Sequence, residues 1–125
     1  MNGDKGLDTV TGAILQASFE VMNELGHGFN EVIYQRALAL ELAEAGLSVE
    51  REAQYPIFYK GNSIGMFIAD FVVEGSVIVE LKALDAPLHP GHLGQCLNYM
   101  RVSQLKAGLL INFGRPKLEY RRLNR

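Results

Sequence analysis

The sequence predicts an α/β domain, more exactly an α+β-like mixed sheet flanked by helices. Two helix-periodic segments occupy the chain before residue 46, and strand-like alternation runs from residue 49 to 82. The chain then closes with a helix, a continuous apolar strand and a polar edge strand. With 125 residues and a hydrophobic fraction of 48%, it holds enough apolar material for one core, read here as a single domain over residues 1–125.

The first helix is predicted from residue 8 or 9 to 25, where Val10, Ala13, Ile14, Ala17, Val21 and Leu25 recur at helical spacing and Gly26 is a stop signal. A sharp Gly26-His27-Gly28-Phe29 loop leads to a second helix, with Asn30 as N-cap, Ala45 near its end and Gly46 closing it. The segment 55–59 is rich in aromatic and β-branched residues, and Lys60-Gly61-Asn62-Ser63 is a turn signal. A strand from 67 to 73 turns at Glu74-Gly75 and returns over 77–82. Pro87 and Pro90 exclude regular structure from 83 to 90. Residues 91–103 read as a third helix, 107–113 as a buried strand and 118–123 as an edge strand, which offers a pairing edge to a second copy of the chain.

Composition narrows the function classes. A single cysteine, Cys96, rules out an internal disulfide and a cysteine-based zinc site, and a lone thiol fits a reducing cytoplasm. The opening MNGDKGLDTV lacks the basic and apolar regions of a signal peptide. No apolar run approaches the roughly 18–20 residues that span a bilayer, so a membrane partner is not expected. The net charge of −2 conceals an asymmetry. Residues 1–100 carry five Lys/Arg against thirteen acids, whereas residues 101–125 carry seven against Glu119 alone. A basic end beside an acidic body suits a local grip on nucleic acid; a solvated tail is the alternative.

Alternation concentrates chemistry on two of the strands. The odd positions Phe67, Ala69, Phe71, Val73, Val77, Val79 and Leu81 are all apolar and are expected to face inward. The even positions include Asp70, Glu80 and Lys82. Keeping all three on one face requires an odd-length loop, read as Val73-Glu74-Gly75 with Gly75 left-handed, which makes Asp70 and Glu80 diagonal neighbours. Two carboxylates and a lysine so arranged suit magnesium or manganese, which take few protein carboxylates and accept phosphate oxygens. An ordinary sheet salt bridge from Lys82 is the competing reading.

Asp70 followed by Glu80-Leu81-Lys82 resembles the D…ExK signature of the PD-(D/E)XK nucleases, with Ala69 where the naming proline stands. The stretch Gly28-Phe29-Asn30-Glu31-Val32-Ile33-Tyr34 resembles the motif of the small bacterial "GxxExxY" proteins grouped with them. The likeness extends through Ala69-Asp70-Phe71, Val79 to Ala83, His92 to Gln95, Asn98-Tyr99 and Gly108 to Phe113. It implies a restriction-endonuclease-like core and a magnesium-dependent nuclease acting on DNA or RNA, in a family whose members often dimerise. By that resemblance Glu31, Asp70, Glu80 and the Leu81 carbonyl match metal ligands, and Lys82 matches the catalytic lysine. Gln95 and Tyr99 match a QxxxY pair that orients the lysine and contacts phosphate. Each has a plainer reading: Glu31 favouring a helix dipole, Gln95 and Tyr99 on an exposed helix face, Tyr34 in the core. Likewise His27 and His89 read as loop residues, His92 as peripheral and Cys96 as a small core residue. A nuclease-like domain that binds nucleic acid or a protein without cutting is the alternative function.

Overall fold

The computed structural model describes residues 6–125. Residues 1–5, which open the stretch read against a leader, lie outside the described residues. Helices α1 (Leu7–Leu25) and α2 (Glu31–Glu44) precede strands β1 (Val49–Tyr59), β2 (Asn62–Val73) and β3 (Val77–Lys82). Helix α3 (Pro90–Ser103), β4 (Ala107–Asn112) and β5 (Glu119–Asn124) follow. The five strands lie in one sheet in sequence order. β3 and β4 are parallel, joined through α3, and the other neighbours are antiparallel.

The helix ends follow local chemistry. Gly26 and Gly46 take positive φ (70° and 77°) where the chain leaves α1 and α2, a conformation that costs glycine little. After α2 the Leu47 N–H returns to the Leu42 carbonyl at 3.1 Å, and both side chains are buried. Asn30 holds the N-cap position of α2 without a side-chain cap bond. His89, expected in an irregular loop, caps α3: its ring accepts the Gly91 N–H at 3.0 Å, while His92 Nδ1 accepts the His89 N–H at 3.2 Å.

Tyr34 carries the join between α1 and α2. Its ring is fully buried and stacks on Phe113, with centroids 4.7 Å apart. Its hydroxyl donates to the Gly26 carbonyl at 2.6 Å and accepts the Phe29 N–H at 3.2 Å. The motif tyrosine is therefore a core lock, and it fixes the loop that launches Glu31.

Two hydrophobic clusters sandwich the sheet. One joins α1 and α2 to Phe71, Val73, Val77, Val79, Leu81, Leu109 and Ile111. The other joins Met100 of α3 to Ala53, Phe67, Ala69, Val72 and Ile78. This corrects the continuous inward face expected of the odd positions: Phe71 and Val73 meet α1 and α2, but Phe67 and Ala69 meet the α3 side. The alternation slips at Asp70. Across the ladder Arg51 pairs with Phe71 and Ala53 with Ala69, leaving Glu52 opposite Asp70 with a left-handed backbone (φ 52°). Two facing residues thus absorb the same slip.

The β2–β3 loop has the expected odd length, shifted by one residue. Val73 pairs with Val77, so Glu74, Gly75 and Ser76 form the loop, with Glu74 (φ 55°) and Gly75 (φ 61°) both left-handed. That register points Asp70 straight across at Glu80 rather than diagonally, and regular pairing ends one step earlier at Phe71 and Val79.

Candidate active site

Where β2 and β3 part, side chains take over from the backbone ladder. The Leu81 N–H donates to Asp70 Oδ2 at 2.8 Å, and the Asp70 N–H donates to Glu80 Oε2 at 3.2 Å. Each carboxylate thus fills a backbone position on the opposite strand, which fixes both acids at the mouth of the gap. Gln35, one turn along α2 from Glu31, donates Nε2 to Asp70 Oδ1 at 3.0 Å, and the Arg51 guanidinium reaches Gln35 Oε1 at 3.4 Å.

The electrostatics describe one shared site. Glu80 is pushed up to about 8 by burial, then by the Asp70 charge; the Asp70 N–H, Lys82 and Glu31 act more weakly. Asp70 is raised by burial against the lowering effects of the Leu81 N–H, Gln35 and Lys82. Desolvation and then the Asp70 charge raise Glu31, while Lys82 opposes them. Three acids therefore crowd one another and share the ammonium of Lys82. Among the described residues no salt bridge joins Lys82 to any of them, so the sheet ion pair considered for this lysine does not form.

Of the residues singled out in the sequence, the fold brings together Glu31, Asp70, Glu80 and Lys82, with the Leu81 backbone at their centre. Tyr99 lies on the α3 side, its ring stacked on Phe67 at 3.6 Å and its hydroxyl raised by desolvation and the Glu80 charge. Gln95 is exposed on α3, and no hydrogen bond draws it to the carboxylates. Cys96 is buried, its thiol pushed up to about 12 by burial and then by Glu80, as suits a core residue. His92 sits at the start of α3, lowered by desolvation and by its neighbour His89.

A concavity of about 370 Å³ opens beside the acids, lined by Glu31, Val32, Gln35, Glu52, Ile68 and Asp70. A larger one, about 630 Å³, follows residues 115–121 and contains Arg115, Lys117 and Arg121. The smaller hollow reaches Glu31 and Asp70 but is not lined by Glu80 or Lys82, so it adjoins one side of the acid group. The basic segment is not a uniform clamp. Strand pairing puts Arg122 beside Leu109 and Arg121 beside Leu110, on opposite faces, and Arg125 is spent on the Met100 carbonyl at 2.9 Å. Arg121 shares a cross-strand row with Leu110 and Glu80, two strands from the site.

The family model described as the PD-(D/E)XK nuclease superfamily matches residues 8–123. The chain belongs to that superfamily. Among solved structures it resembles "Crystal structure of SSO0001", with TM-score 0.60 and 19% identity over 76% of this chain. It spans half the length of that protein. It also resembles an alkaline exonuclease from Laribacter hongkongensis, with TM-score 0.55 and 11% identity over 98% of this chain and 72% of that one. These likenesses support the PD-(D/E)XK core of the fold. No curated protein matches the chain.

In this PD-(D/E)XK core, sequence reasoning missed Gln35, Glu52 and Asn112. Gln35 directly follows the motif tyrosine but carries no signal of its own. Glu52 becomes visible only through the register that sets it opposite Asp70. Asn112 is fully buried within an apolar strand, and that placement is itself a signal. It accepts the Leu84 and Gly114 N–H groups and donates to the Leu84 and Ala86 carbonyls and to Glu119, tying down the loop that follows Lys82.

Proposed function

We propose that this chain hydrolyses phosphodiester bonds in DNA or RNA with a divalent cation, magnesium or manganese, at the gap between β2 and β3. The reading rests above all on the reciprocal engagement of Asp70 and Glu80 with each other's strands, beside Lys82. The donor set suits such an ion. It consists of hard carboxylate oxygens that are partly buried and crowd one another, a crowding that positive charge relieves. Among the described residues no three acid, histidine or cysteine side chains are grouped closely enough to hold a metal ion by themselves; a magnesium-like ion would complete its shell with water.

Asp70, Glu80 and Glu31 would hold the ion, with the Leu81 carbonyl as a further oxygen donor. When bound, it supplies Lewis-acid polarisation of the phosphate and a more acidic water. Lys82 orients the attacking water and offsets negative charge at phosphorus as the new P–O bond forms and the ester bond to the departing sugar oxygen breaks. Gln35 holds the Asp70 carboxylate in place. Tyr99, and Gln95 once a strand is seated, contact phosphate. The same reading assigns the chain to the GxxExxY group on Gly28, Glu31 and Tyr34, and takes residues 1–125 as one cytoplasmic domain. The β5 edge is the place for a second copy, which light scattering would reveal.

Labelled single- and double-stranded DNA and RNA, incubated with purified protein and Mg²⁺, Mn²⁺ or chelator, provide the test. Metal-dependent cleavage should fall about 10²–10³-fold in Lys82→Ala and Glu80→Ala. Retarded but uncut substrate under every condition would replace the enzyme with a binding module.

A further inference from the structure

On the β1–β2 hairpin, a strip of large apolar side chains leads from solvent to the acids. Ile64, Met66 and Ile68 are 65%, 53% and 52% exposed, and Phe58 near the hairpin tip is 61% exposed. Alternation sets Met66 and Ile68 opposite Phe67, which packs toward α3, so they line the other face of β2, and Ile64 follows them at the bulge where Ile57 pairs with Gly65 and Phe58 with Ser63. The next residue on that side is Asp70, and Ile68 shares its concavity with Asp70, Glu31 and the half-exposed Val32 of α2. Between residues 55 and 68 the only charge is Lys60.

This face cannot serve a phosphate backbone, which needs cations. Aliphatic and aromatic side chains instead favour the faces of bases, which a duplex keeps stacked inside. From Ile64 to Ile68 the strip runs about 13 Å, room for a short run of bases. Positive charge lies elsewhere, with Arg121 in the Glu80 row of the sheet. That arginine lies on the α3 side of the sheet, across from the strip, and pairs with Glu119 at 3.7 Å, so the strip itself offers a polymer apolar contact.

We infer that the substrate is single-stranded next to the cleaved phosphate, its unstacked bases lying on the Ile64–Met66–Ile68 face of the hairpin. This rests on the nuclease reading above and narrows its substrate class.

Fluorescence anisotropy with Ca²⁺ in place of Mg²⁺ measures the binding of a labelled DNA strand, its matched duplex and an abasic strand of equal length. The wild type should prefer the base-bearing strand to the duplex by tenfold or more. The triple variant Phe58→Ser, Ile64→Ser, Met66→Ser should lose about tenfold on that strand, while both proteins bind the abasic strand equally weakly. Should the triple variant fail to fold, Met66→Ser alone is expected to lose about threefold. Equal binding by wild type and variant, a preference for duplex, or a wild-type dimer that the variant converts to monomer each overturns the inference. Cleavage of the same strands with Mg²⁺ separates the two readings. If the strands are cut but the hairpin variant binds them normally, only the inference falls; a wild type that neither binds nor cuts removes both.

Discussion

The parallel pair β3–β4 and the outer half of the β1–β2 hairpin are both rich in apolar residues, yet they meet solvent in opposite ways. In β4 every residue is buried, and in β3 only Glu80 and Lys82 are partly open. Residues 62–66 at the start of β2 are all exposed. The difference lies in what covers each region. A parallel pair needs a crossover, and here α3 packs on one face of the sheet while α1 and α2 pack on the other. The hairpin extends past those helices. Between the two regions lies the slip at Asp70 and Glu52, so the candidate site sits at the boundary between a sealed sheet and an open one.

If the sealed region depends on its one buried amide, Asn112→Ala should produce the largest loss. The substitution orphans the Leu84 and Gly114 N–H groups and the Leu84 and Ala86 carbonyls together. We expect about 3–4 kcal/mol less stability in urea unfolding, the range seen when a buried network is broken. A loss below about 1 kcal/mol would show that the loop after Lys82 is held by other contacts.

Glu80 tests the boundary itself. Its folded carboxyl is pushed up to about 8 from the ordinary 4.5. Between those values the native state keeps a proton that the unfolded chain releases. In the metal-free protein the contribution of Glu80 to stability is therefore fully present below the lower value and is lost as pH climbs through the upper one. Glu80→Gln removes that burden, and its amide oxygen can still accept the Asp70 N–H. At pH 8.5 in chelator the variant should be more stable than wild type by roughly 2–3 kcal/mol, and at pH 4.5 close to equal. A variant that is less stable at pH 8.5 would mean that the site tolerates the charge.

Tyr34→Phe probes the lock at the start of α2. The stack on Phe113 survives, but the Gly26 carbonyl loses its donor and the Phe29 N–H its acceptor. A cost of about 1–1.5 kcal/mol is expected in thermal unfolding. No change would move the role of this tyrosine from the core to the site.

The sequence made the helices, the loop of odd length and the grouping of Asp70, Glu80 and Lys82 legible, because glycine stops, helical spacing and period-two alternation are local signals. The slip at Asp70 was hidden for the same reason. Alternation presumes an unbroken strand, and nothing in Arg51-Glu52-Ala53 announces that Glu52 adopts φ 52°. Phe67 and Ala69 are as apolar as Phe71 and Val73, so composition cannot show that they face different helices. The loop frame was misplaced by one residue because Glu74, not only Gly75, takes the left-handed form. Its N–H donates to the Ser48 carbonyl at 2.7 Å, and its carboxylate accepts the Ser48 N–H at 2.6 Å. Those partners lie 26 residues away, beyond the reach of local pattern. His89 as a cap, and Gln35 as the partner of Asp70, were likewise set by geometry rather than by residue type.

The smallest expected effect draws the comparison most sharply. Met66 on β2 and Met100 on α3 are both methionines, but Met66 is 53% exposed and Met100 fully buried. Met66→Ser should change folding stability by no more than about 0.5 kcal/mol, since an exposed side chain gives up little transfer free energy. It is nonetheless the substitution expected to weaken binding of a base-bearing strand. Equilibrium unfolding and anisotropy on the same preparation separate the two effects. A loss of stability above about 1 kcal/mol would show that the hairpin face is packed in solution, by a neighbouring copy or by the hairpin folding back. The contrast between a sealed and an open region would then not hold.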